Sequence, residues 1–363
     1  MNVVALHTDR ARARLAFVQK HFADAQIALE VASADASFRS YWRARSGGQT
    51  WVVMDAPPGQ EDVRPWLDIG ARLRARGLHA PEVFAADADQ GFIVMEDLGT
   101  RAYLAELNYA TAATLYKDAL HALLRMQRDV DAADLPVFDA TRSIPEMELF
   151  GPWFLERHLG FAPACDDWDV IEHAFRMLAA SCDEQPRRFM HRDFHSRNLL
   201  IVEDKPREDH PAVGAQEPSA AQKANPGIID FQGAMLGPVT YDLASLLRDC
   251  YIAWPIERVD AWVEDFRQRL VAERIVDVPG ARFRRWFDLI GLQRHIKVLG
   301  IFCRLWYRDG KRGYLADLPR VLDYVIGIAE LYPELLDFAA LLRRAVGERD
   351  ITQPLSQPAP ATA

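Results

Sequence analysis

The sequence predicts an α+β protein built from two lobes. Strand patterns and one amphipathic helix fill the chain up to about residue 97, and helical periodicity dominates from there on. A length of 363 residues is typical of two lobes or domains with ample area for a buried core. We expect an N-terminal lobe over 1–97, a helical C-terminal lobe over 98–346 and a disordered tail over 347–363.

The predicted elements of the first lobe follow from local patterns. Apolar residues at helical spacing predict a helix over 8–22, and a second amphipathic pattern predicts one over 62–76. Strand patterns occupy 26–31, 38–45, 49–55, 83–86 and 91–96, with a turn of small residues over 32–37. Beyond this lobe, the Pro- and charge-rich stretch 203–226 predicts a long surface loop whose role the sequence leaves open.

Charge and cysteine usage exclude several classes of protein. Lys plus Arg number 43 against 52 Asp plus Glu, a net charge of −9, which argues against a nucleic-acid binder. No apolar run approaches the ~20 residues of a bilayer span. The first 20 residues lack a signal-peptide pattern. Cys165, Cys182, Cys250 and Cys303 form no CxxC pair, so we expect no zinc site or disulfide framework and a cytoplasmic location.

Two polar motifs between apolar runs carry the chemistry. His191-Arg192-Asp193 is followed by Asn198 five residues after the acid, and Asp230 follows the short apolar run Gly227-Ile228-Ile229. Phosphoryl transfer uses such a set, because one carboxylate orients the attacking hydroxyl while an amide and a second carboxylate hold Mg²⁺ on the nucleotide. Asp193 is therefore the candidate base, and Asn198 and Asp230 are the candidate metal ligands.

With these motifs, the sequence resembles the aminoglycoside phosphotransferase family over roughly 22–336. The resemblance implies a protein-kinase-like fold with a small β-rich lobe, a large helical lobe, and ATP and Mg²⁺ as cofactors. His195 stands where protein Ser/Thr kinases usually carry Lys, and the metal acid is soon followed by Tyr241-Asp242-Leu243 without an APE motif. Both features favour a small-molecule kinase, and the resemblance gives Asp242 a structural role.

A narrower resemblance concerns the kinases of this family that phosphorylate the C1 hydroxyl of N-acetylmuramate and N-acetylglucosamine in cell-wall recycling. The matching phrases include DASFRSY at 35–41, VMDAPP at 53–58 and KVLGIF at 297–302. The product resembles the feedstock of a uridylyltransferase, which would take it up without a stable complex. Two alternatives stay open: a kinase for an aminoglycoside, a choline-like alcohol or thioribose, and a catalytically silent nucleotide-binding regulator.

The predicted nucleotide site departs from the kinase pattern in two ways. The loop over the phosphates lacks glycines, so its candidate contacts are Ser33, Asp35, Ser37, Phe38 and Arg39. The strand that should carry the ATP-positioning Lys has Met54 instead, and 42–104 contains no Lys. Arg39, Arg43 and a second metal ion remain open as sources of the missing charge. The resemblance places adenine at the interlobe hinge, whose candidate residues are Met95, Glu96 and Leu98.

The candidate acceptor residues lie mostly in a basic stretch of the second lobe. Six Lys or Arg and one acid fall between Arg294 and Arg312 in an otherwise acidic chain. A cationic aminoglycoside or choline is disfavoured beside such a wall, whereas the lactyl carboxylate of N-acetylmuramate needs cationic or hydrogen-bonding partners. The predicted acceptor contacts are Glu148, His195, Arg294, His295 and Arg304.

Overall fold

The computed structural model describes residues 3–34, 38–202, 225–311 and 313–357. The chain divides into two compact units, each made of segments that are distant in sequence. The first contains the described residues of Met1–Ala122 and Arg197–Gly233, and the second those of Leu123–Ser196 and Ala234–Ala363. The sequence pattern predicts a single boundary between lobes near residue 97, whereas the compact units change at residues 122, 196 and 233. Periodicity reports local secondary structure, whereas compact units depend on long-range contacts.

The first unit contains an antiparallel five-stranded sheet in the order β1-β2-β3-β5-β4. Its strands are β1 (Ala28–Ala34), β2 (Ser40–Ser46), β3 (Gln49–Asp55), β4 (Val83–Asp87) and β5 (Phe92–Glu96). Gly47 and Gly48 join β2 to β3 with φ of 55° and 80°, as a two-residue hairpin turn requires. Each strand overlaps its predicted range, and β1 continues to Ala34 through half of the predicted turn.

A buried carboxylate attaches the N-terminal helix to this sheet. The helices of the first unit include α1 (Val3–Phe22), α2 (Arg64–Ala75) and α3 (Tyr103–Glu106). Asp55, at the end of β3, is 3% exposed and accepts hydrogen bonds from Arg10 Nε at 2.8 Å and Arg14 Nη1 at 2.6 Å. Arg14 also lies 3.7 Å from the ring centroid of Trp42. The paired charges therefore offset the desolvation of Asp55, and the cation–π contact stabilises the enclosed Arg14.

A short hairpin in the same unit carries the predicted metal ligands. β7 (Leu199–Leu200) pairs antiparallel with β8 (Gly227–Ile228). Isolated bridges join Gly227 to His79 and Leu200 to Ala102. A Cβ on Gly227 would lie 2.7 Å from Val202 Cγ2 and 3.0 Å from Leu98 Cδ1, so the neighbouring side chains leave no room for one there. This close pairing fixes the ends of both strands, where Asn198 and Asp230 lie.

The second unit is mainly helical. Its boundary with the first falls within α4 (Ala112–Asp129), and β6 (Arg187–Met190) pairs antiparallel with β9 (Met235–Pro238). The remaining helices are α5 (Ala140–Met147), α6 (Cys165–Asp183), α7 (Tyr241–Leu247), α8 (Ile256–Ala272), α9 (Gly280–Tyr307), α10 (Leu318–Ala329) and α11 (Leu336–Val346). α9 is 28 residues long and largely buried, so it forms the centre of the unit's apolar core.

A π-helix at Phe150–His158 follows α5 and packs against α9. The contact depends on Gly300, because a Cβ at this position would lie 2.5 Å from the Leu149 carbonyl carbon and 2.6 Å from its oxygen. Real Cβ atoms do not approach other heavy atoms so closely. Glycine therefore allows the backbone before the π-helix to touch α9 directly.

Part of the predicted disordered tail makes defined contacts with the second unit. Ile351 is 5% exposed, and its carbonyl accepts a hydrogen bond from His158 Nε2 at 2.8 Å. The Leu355 amide donates to the Tyr307 hydroxyl at 3.0 Å. The expectation of disorder is therefore wrong for 347–357, because contacts with the second unit order a segment of polar composition. Residues 358–363 of the predicted tail lie outside the described residues. In the described part of the chain, no helix is long and apolar enough to cross a membrane.

Candidate functional site

The hairpin of β7 and β8 brings Asn198 and Asp230 together in the first unit. The Ile229 amide donates to the Asn198 carbonyl at 3.1 Å, which extends the strand pairing by one step. Asn198 Nδ2 then donates to Asp230 Oδ2 at 3.3 Å. Asp230 has a φ of 64°, a left-handed conformation that costs a non-glycine residue free energy. Such strain is a recurring feature of functional positions.

The Asp230 carboxylate also receives other N–H donors of the first unit. Gln232 Nε2 donates to Asp230 Oδ1 at 2.8 Å, and Arg39 Nη2 donates to the same oxygen at 3.3 Å. Arg39 is 7% exposed, and its Nε lies 3.1 Å from Glu61 Oε1. We refer to Arg39, Glu61 and Asp230 as the Asp230 cluster.

Asn198 and Asp230 fit the ligand chemistry of Mg²⁺. Carboxylate and amide oxygens are hard ligands, and Mg²⁺ keeps several positions for water and phosphate, so one or two protein oxygens suffice. Among the described residues, no group of three or more His, Cys, Asp or Glu is placed to hold a metal ion. The side chain of Asp230 is 34% exposed, which leaves its carboxylate accessible to a ligand.

A separate cluster in the second unit surrounds Asp193. Asp242, at the start of α7 and 1% exposed, accepts hydrogen bonds from the backbone amides of His191 at 2.6 Å and Arg192 at 3.0 Å. Arg192 has a φ of 77°, so these bonds hold the chain in a left-handed conformation just before the candidate base. The two hydrogen bonds explain the structural role predicted for Asp242, because they fix the backbone immediately before Asp193.

Glu146 joins two cations near the candidate base. Its Oε1 lies 2.5 Å from Arg192 Nη2, and its Oε2 lies 3.0 Å from Lys297 Nζ on α9. All three side chains are mostly enclosed, with exposed fractions of 17%, 28% and 14%. We refer to Glu146, Arg192 and Lys297, with Asp193 and Arg294, as the Asp193 cluster. Sequence reasoning missed Glu146 and Lys297 as site residues, because nothing local distinguishes them from other charged residues of helices.

The charges of this cluster keep Asp193 ionised. Burial raises the pKa of Asp193, but the nearby positive charges of Lys297, His195, Arg192 and Arg294 outweigh it and hold the pKa below its ordinary value. An ionised carboxylate can orient a hydroxyl and accept its proton as the bond to phosphorus forms. A carboxylate with a lowered pKa is a weak base. It therefore suits a reaction in which the hydroxyl proton becomes acidic only as the oxygen bonds to phosphorus.

The predicted nucleotide residues differ in their environments. Asp35 and Ser37 lie outside the described residues, and the backbone of Ser33 belongs to β1. Phe38 is 66% exposed, in contrast to Met95, which is 4% exposed, and Leu98, which is 6% exposed. Glu96 Oε1 lies 3.2 Å from His79 Nε2, and Glu96 Oε2 accepts from the Glu82 amide at 3.2 Å.

The predicted acceptor residues also divide. His295 is 0% exposed, stacks on Tyr324 at 4.8 Å between ring centroids, and donates from Nε2 to the Arg248 carbonyl at 2.9 Å. Burial lowers the pKa of His295 to about 3, so the ring is neutral. A fully buried core histidine does not support the predicted contact with the acceptor sugar. Glu148 is exposed at the end of α5, whereas Glu146, two residues earlier, reaches the Asp193 cluster.

Arg294, His195 and Arg304 occupy three different settings. Arg294 is 5% exposed, lies 5.5 Å from the ring centroid of Tyr241, and its Nη1 makes no hydrogen bond among the described residues. His195 packs edge-on against Tyr251 at 5.5 Å. Arg304 lies ten residues beyond Arg294 on α9, about 15 Å along the helix axis. Of these three predicted acceptor residues, Arg294 is the one that belongs to the Asp193 cluster, and its Nη1 is free to bind an anionic ligand.

With its sheet-containing unit and its helical unit, the chain has a protein-kinase-like fold, and the family it matches is one of phosphotransferases. A choline/ethanolamine kinase family protein from Mesorhizobium loti shares this fold, with a TM-score of 0.56 and 16% identity, covering 93% of this chain and 99% of that chain. The model of the phosphotransferase enzyme family, APH, matches residues 28–208 and 221–283, more than half of the sequence. The chain belongs to this family.

Two curated relatives are similar along most of their length. The N-acetylmuramate/N-acetylglucosamine kinase of Pseudomonas aeruginosa is 39% identical over 312 residues, covering 86% of this chain and 86% of the relative. The enzyme of the same name from Pseudomonas putida is 38% identical over 315 residues, covering 86% and 87%. The predicted fold class and family are thereby confirmed.

Proposed function

We propose that this chain transfers the γ-phosphoryl group of ATP to the anomeric hydroxyl of N-acetylmuramate and N-acetylglucosamine. The names of the Pseudomonas relatives support the two acceptors. The observation that carries the chemistry is an ionised Asp193 on a backbone held by Asp242, because a kinase needs a positioned carboxylate and little covalent help.

In the proposed reaction, Asp193 orients the C1 hydroxyl and accepts its proton while the oxygen attacks the γ-phosphorus. The bond from the γ-phosphorus to the bridging oxygen breaks, and ADP leaves with that oxygen. Asn198 and Asp230 would hold Mg²⁺, which neutralises phosphate charge when bound. Met95, Glu96 and Leu98 would contact adenine, and the segment from Ser33 to Arg39 would follow the phosphates.

We propose that Arg294 binds the lactyl carboxylate of N-acetylmuramate. Arg294 Nη1 is a buried N–H group without a hydrogen-bond acceptor among the described residues, which is costly, and an anionic ligand would remove that cost. Arg294→Met should lower kcat/KM for N-acetylmuramate about tenfold or more and change the value for N-acetylglucosamine much less. Arg285→Met, on the same helix but paired with Glu334, is the control. Equal losses for both sugars would contradict this role.

The experiment that tests the whole proposal is incubation with MgATP and each sugar, followed by phosphorus NMR of the product. Coupling of the new phosphate to the C1 proton is the expected result, and phosphate on any other oxygen would refute the anomeric assignment. The same assay with choline and an aminoglycoside addresses the other kinase alternative. A silent regulator would instead show ATP-induced thermal stabilisation without ADP release.

The cellular setting follows from the proposed chemistry. ATP is a cytoplasmic substrate, and Cys165, Cys182, Cys250 and Cys303 are all unpaired thiols, as in a reducing compartment. We therefore place the reaction in the cytoplasm. The sugar 1-phosphate would pass to a uridylyltransferase by diffusion, without a stable complex.

A further inference from the structure

The structure of the first unit points to a replacement for the lysine that β3 lacks. In protein kinases, a lysine on this strand pairs with a glutamate and positions the nucleotide phosphates. Met54 of this chain is 0% exposed and lies in register between Tyr41 of β2 and Ile93 of β5. Its thioether cannot supply the positive charge, so another group must do so if the chain binds ATP as proposed above.

We propose that Arg39 is this cation and that Glu61 is its positioning partner. Arg39 lies just before β2, and its guanidinium pairs with a glutamate, as the kinase lysine does, and also contacts the proposed metal ligand. Its Nε lies 3.1 Å from Glu61, and its Nη2 lies 3.3 Å from Asp230, the proposed metal ligand. The charge thus reaches the proposed metal ligand from the residue that precedes β2 instead of from β3.

Arg43, the other arginine that could replace the missing lysine, already makes an ion pair with a different acid. Its Nε and Nη2 both engage the carboxylate of Asp97, at 2.7 Å and 3.1 Å. This two-point pairing holds the planar guanidinium in one orientation. Arg43 therefore stabilises the segment after β5, and Arg39 is the arginine in contact with the metal-ligating acid.

The chemistry of arginine suits this relocated role. A guanidinium offers five N–H donors in a fixed plane, so it can contact Glu61 and a phosphate oxygen together. The 3.3 Å bond to Asp230 is long for a charged pair and would exchange readily when that carboxylate turns to a metal ion. Glu61 would then keep the guanidinium in place.

The test compares the binding of the non-hydrolysable analogue AMP-PNP with that of adenosine by calorimetry, with Mg²⁺ and with EDTA. Arg39→Met should raise the Kd of AMP-PNP by about 10-fold to 100-fold and leave the Kd of adenosine unchanged. Arg39→Lys should recover part of the loss, since it restores a charge without the planar fork. Arg43→Met is the matched control and should leave the ratio of the two Kd values unchanged.

A ratio of the two Kd values in Arg39→Met within about twofold of the unaltered chain would overturn the proposal, and so would a selective loss in Arg43→Met. Melting temperatures of all variants show whether they fold. If Arg39→Met does not fold, Arg39→Lys supplies the test, because it should show a smaller but still selective rise in the Kd of AMP-PNP. Because binding is measured without acceptor, failure of the chain to phosphorylate either amino sugar would not affect this result. The two proposals therefore fail separately.

Discussion

Gly300 provides a sharp test of how α9 positions the Asp193 cluster. In Gly300→Ala, the new Cβ would lie 2.5 Å from the carbonyl carbon of Leu149, a backbone atom that cannot rotate away. The helix or the backbone before the π-helix must shift by several tenths of an ångström. Lys297 lies one turn before Gly300, so the shift also acts on its 3.0 Å contact with Glu146.

The expected cost follows from overpacking. Extra atoms in a packed interior typically cost about 1–3 kcal/mol, and ~1 kcal/mol corresponds to roughly 2–4 °C in melting temperature for large domains. Alanine also gains about 1 kcal/mol over glycine in a helix, so the net loss should be up to about 2 kcal/mol. We therefore expect thermal unfolding of Gly300→Ala to occur a few degrees lower, together with reduced kinase turnover.

Gly291→Ala on the same helix is the matched control. Its Cβ would meet Arg248 Nη1 at 3.5 Å, an ordinary van der Waals contact. Since alanine favours helices over glycine by about 1 kcal/mol, this variant should be as stable as the parent or more stable. Both variants gain the same helix propensity, so equal melting temperatures for Gly300→Ala and Gly291→Ala would refute the close contact between α9 and Leu149.

Three further predictions concern carboxylates. Asp193→Asn should lower kcat by about 10²–10⁴ and leave the Kd of ATP within about twofold, as measured by coupled ADP release and calorimetry; near-normal turnover would exclude Asp193 as base. Burial raises the pKa of Asp242 to about 7 from 3.8, so the folded chain keeps a proton that the unfolded chain loses. The contribution of Asp242 to the free energy of unfolding is complete below about pH 4 and falls by about 4 kcal/mol as the pH rises to about 7. Urea unfolding of Asp242→Asn should lack this dependence on pH. Asp55→Asn should cost about 3 kcal/mol because it leaves Arg10 and Arg14 enclosed without their partner, whereas Asp9→Asn, on the surface, should cost under about 0.5 kcal/mol.

Much of the fold and of the central motif could be predicted from the sequence. β3 has its predicted bounds, Gln49–Asp55, because its β-branched residues and the prolines that follow are local signals. Asn198 and Asp230 could be identified by the short apolar runs beside them, which become β7 and β8 and place the two side chains 3.3 Å apart. Local patterns suffice where adjacent strands bring residues together.

Other outcomes depended on contacts that no local pattern encodes. His295 lies in a basic stretch that suggested an acceptor site, yet α9 is buried on most sides and turns this ring into the core. The chain after Gly347 has a polar composition, but Ile351 finds a hydrogen-bond partner in His158, 193 residues away. Composition cannot reveal such partners, since they are decided by helix packing.

The class of chemistry could be predicted from the sequence alone, because an acid, an amide and a second acid in this order are the residue types that a kinase uses as its base and metal ligands. How the charges around these residues are paired depends on the tertiary structure. Arg39 meets an acid 191 residues away, and Glu146 joins Arg192 to Lys297 across three segments of the second unit. Ion pairs require proximity within about 4 Å, and folding alone selects which of many charged residues achieve it.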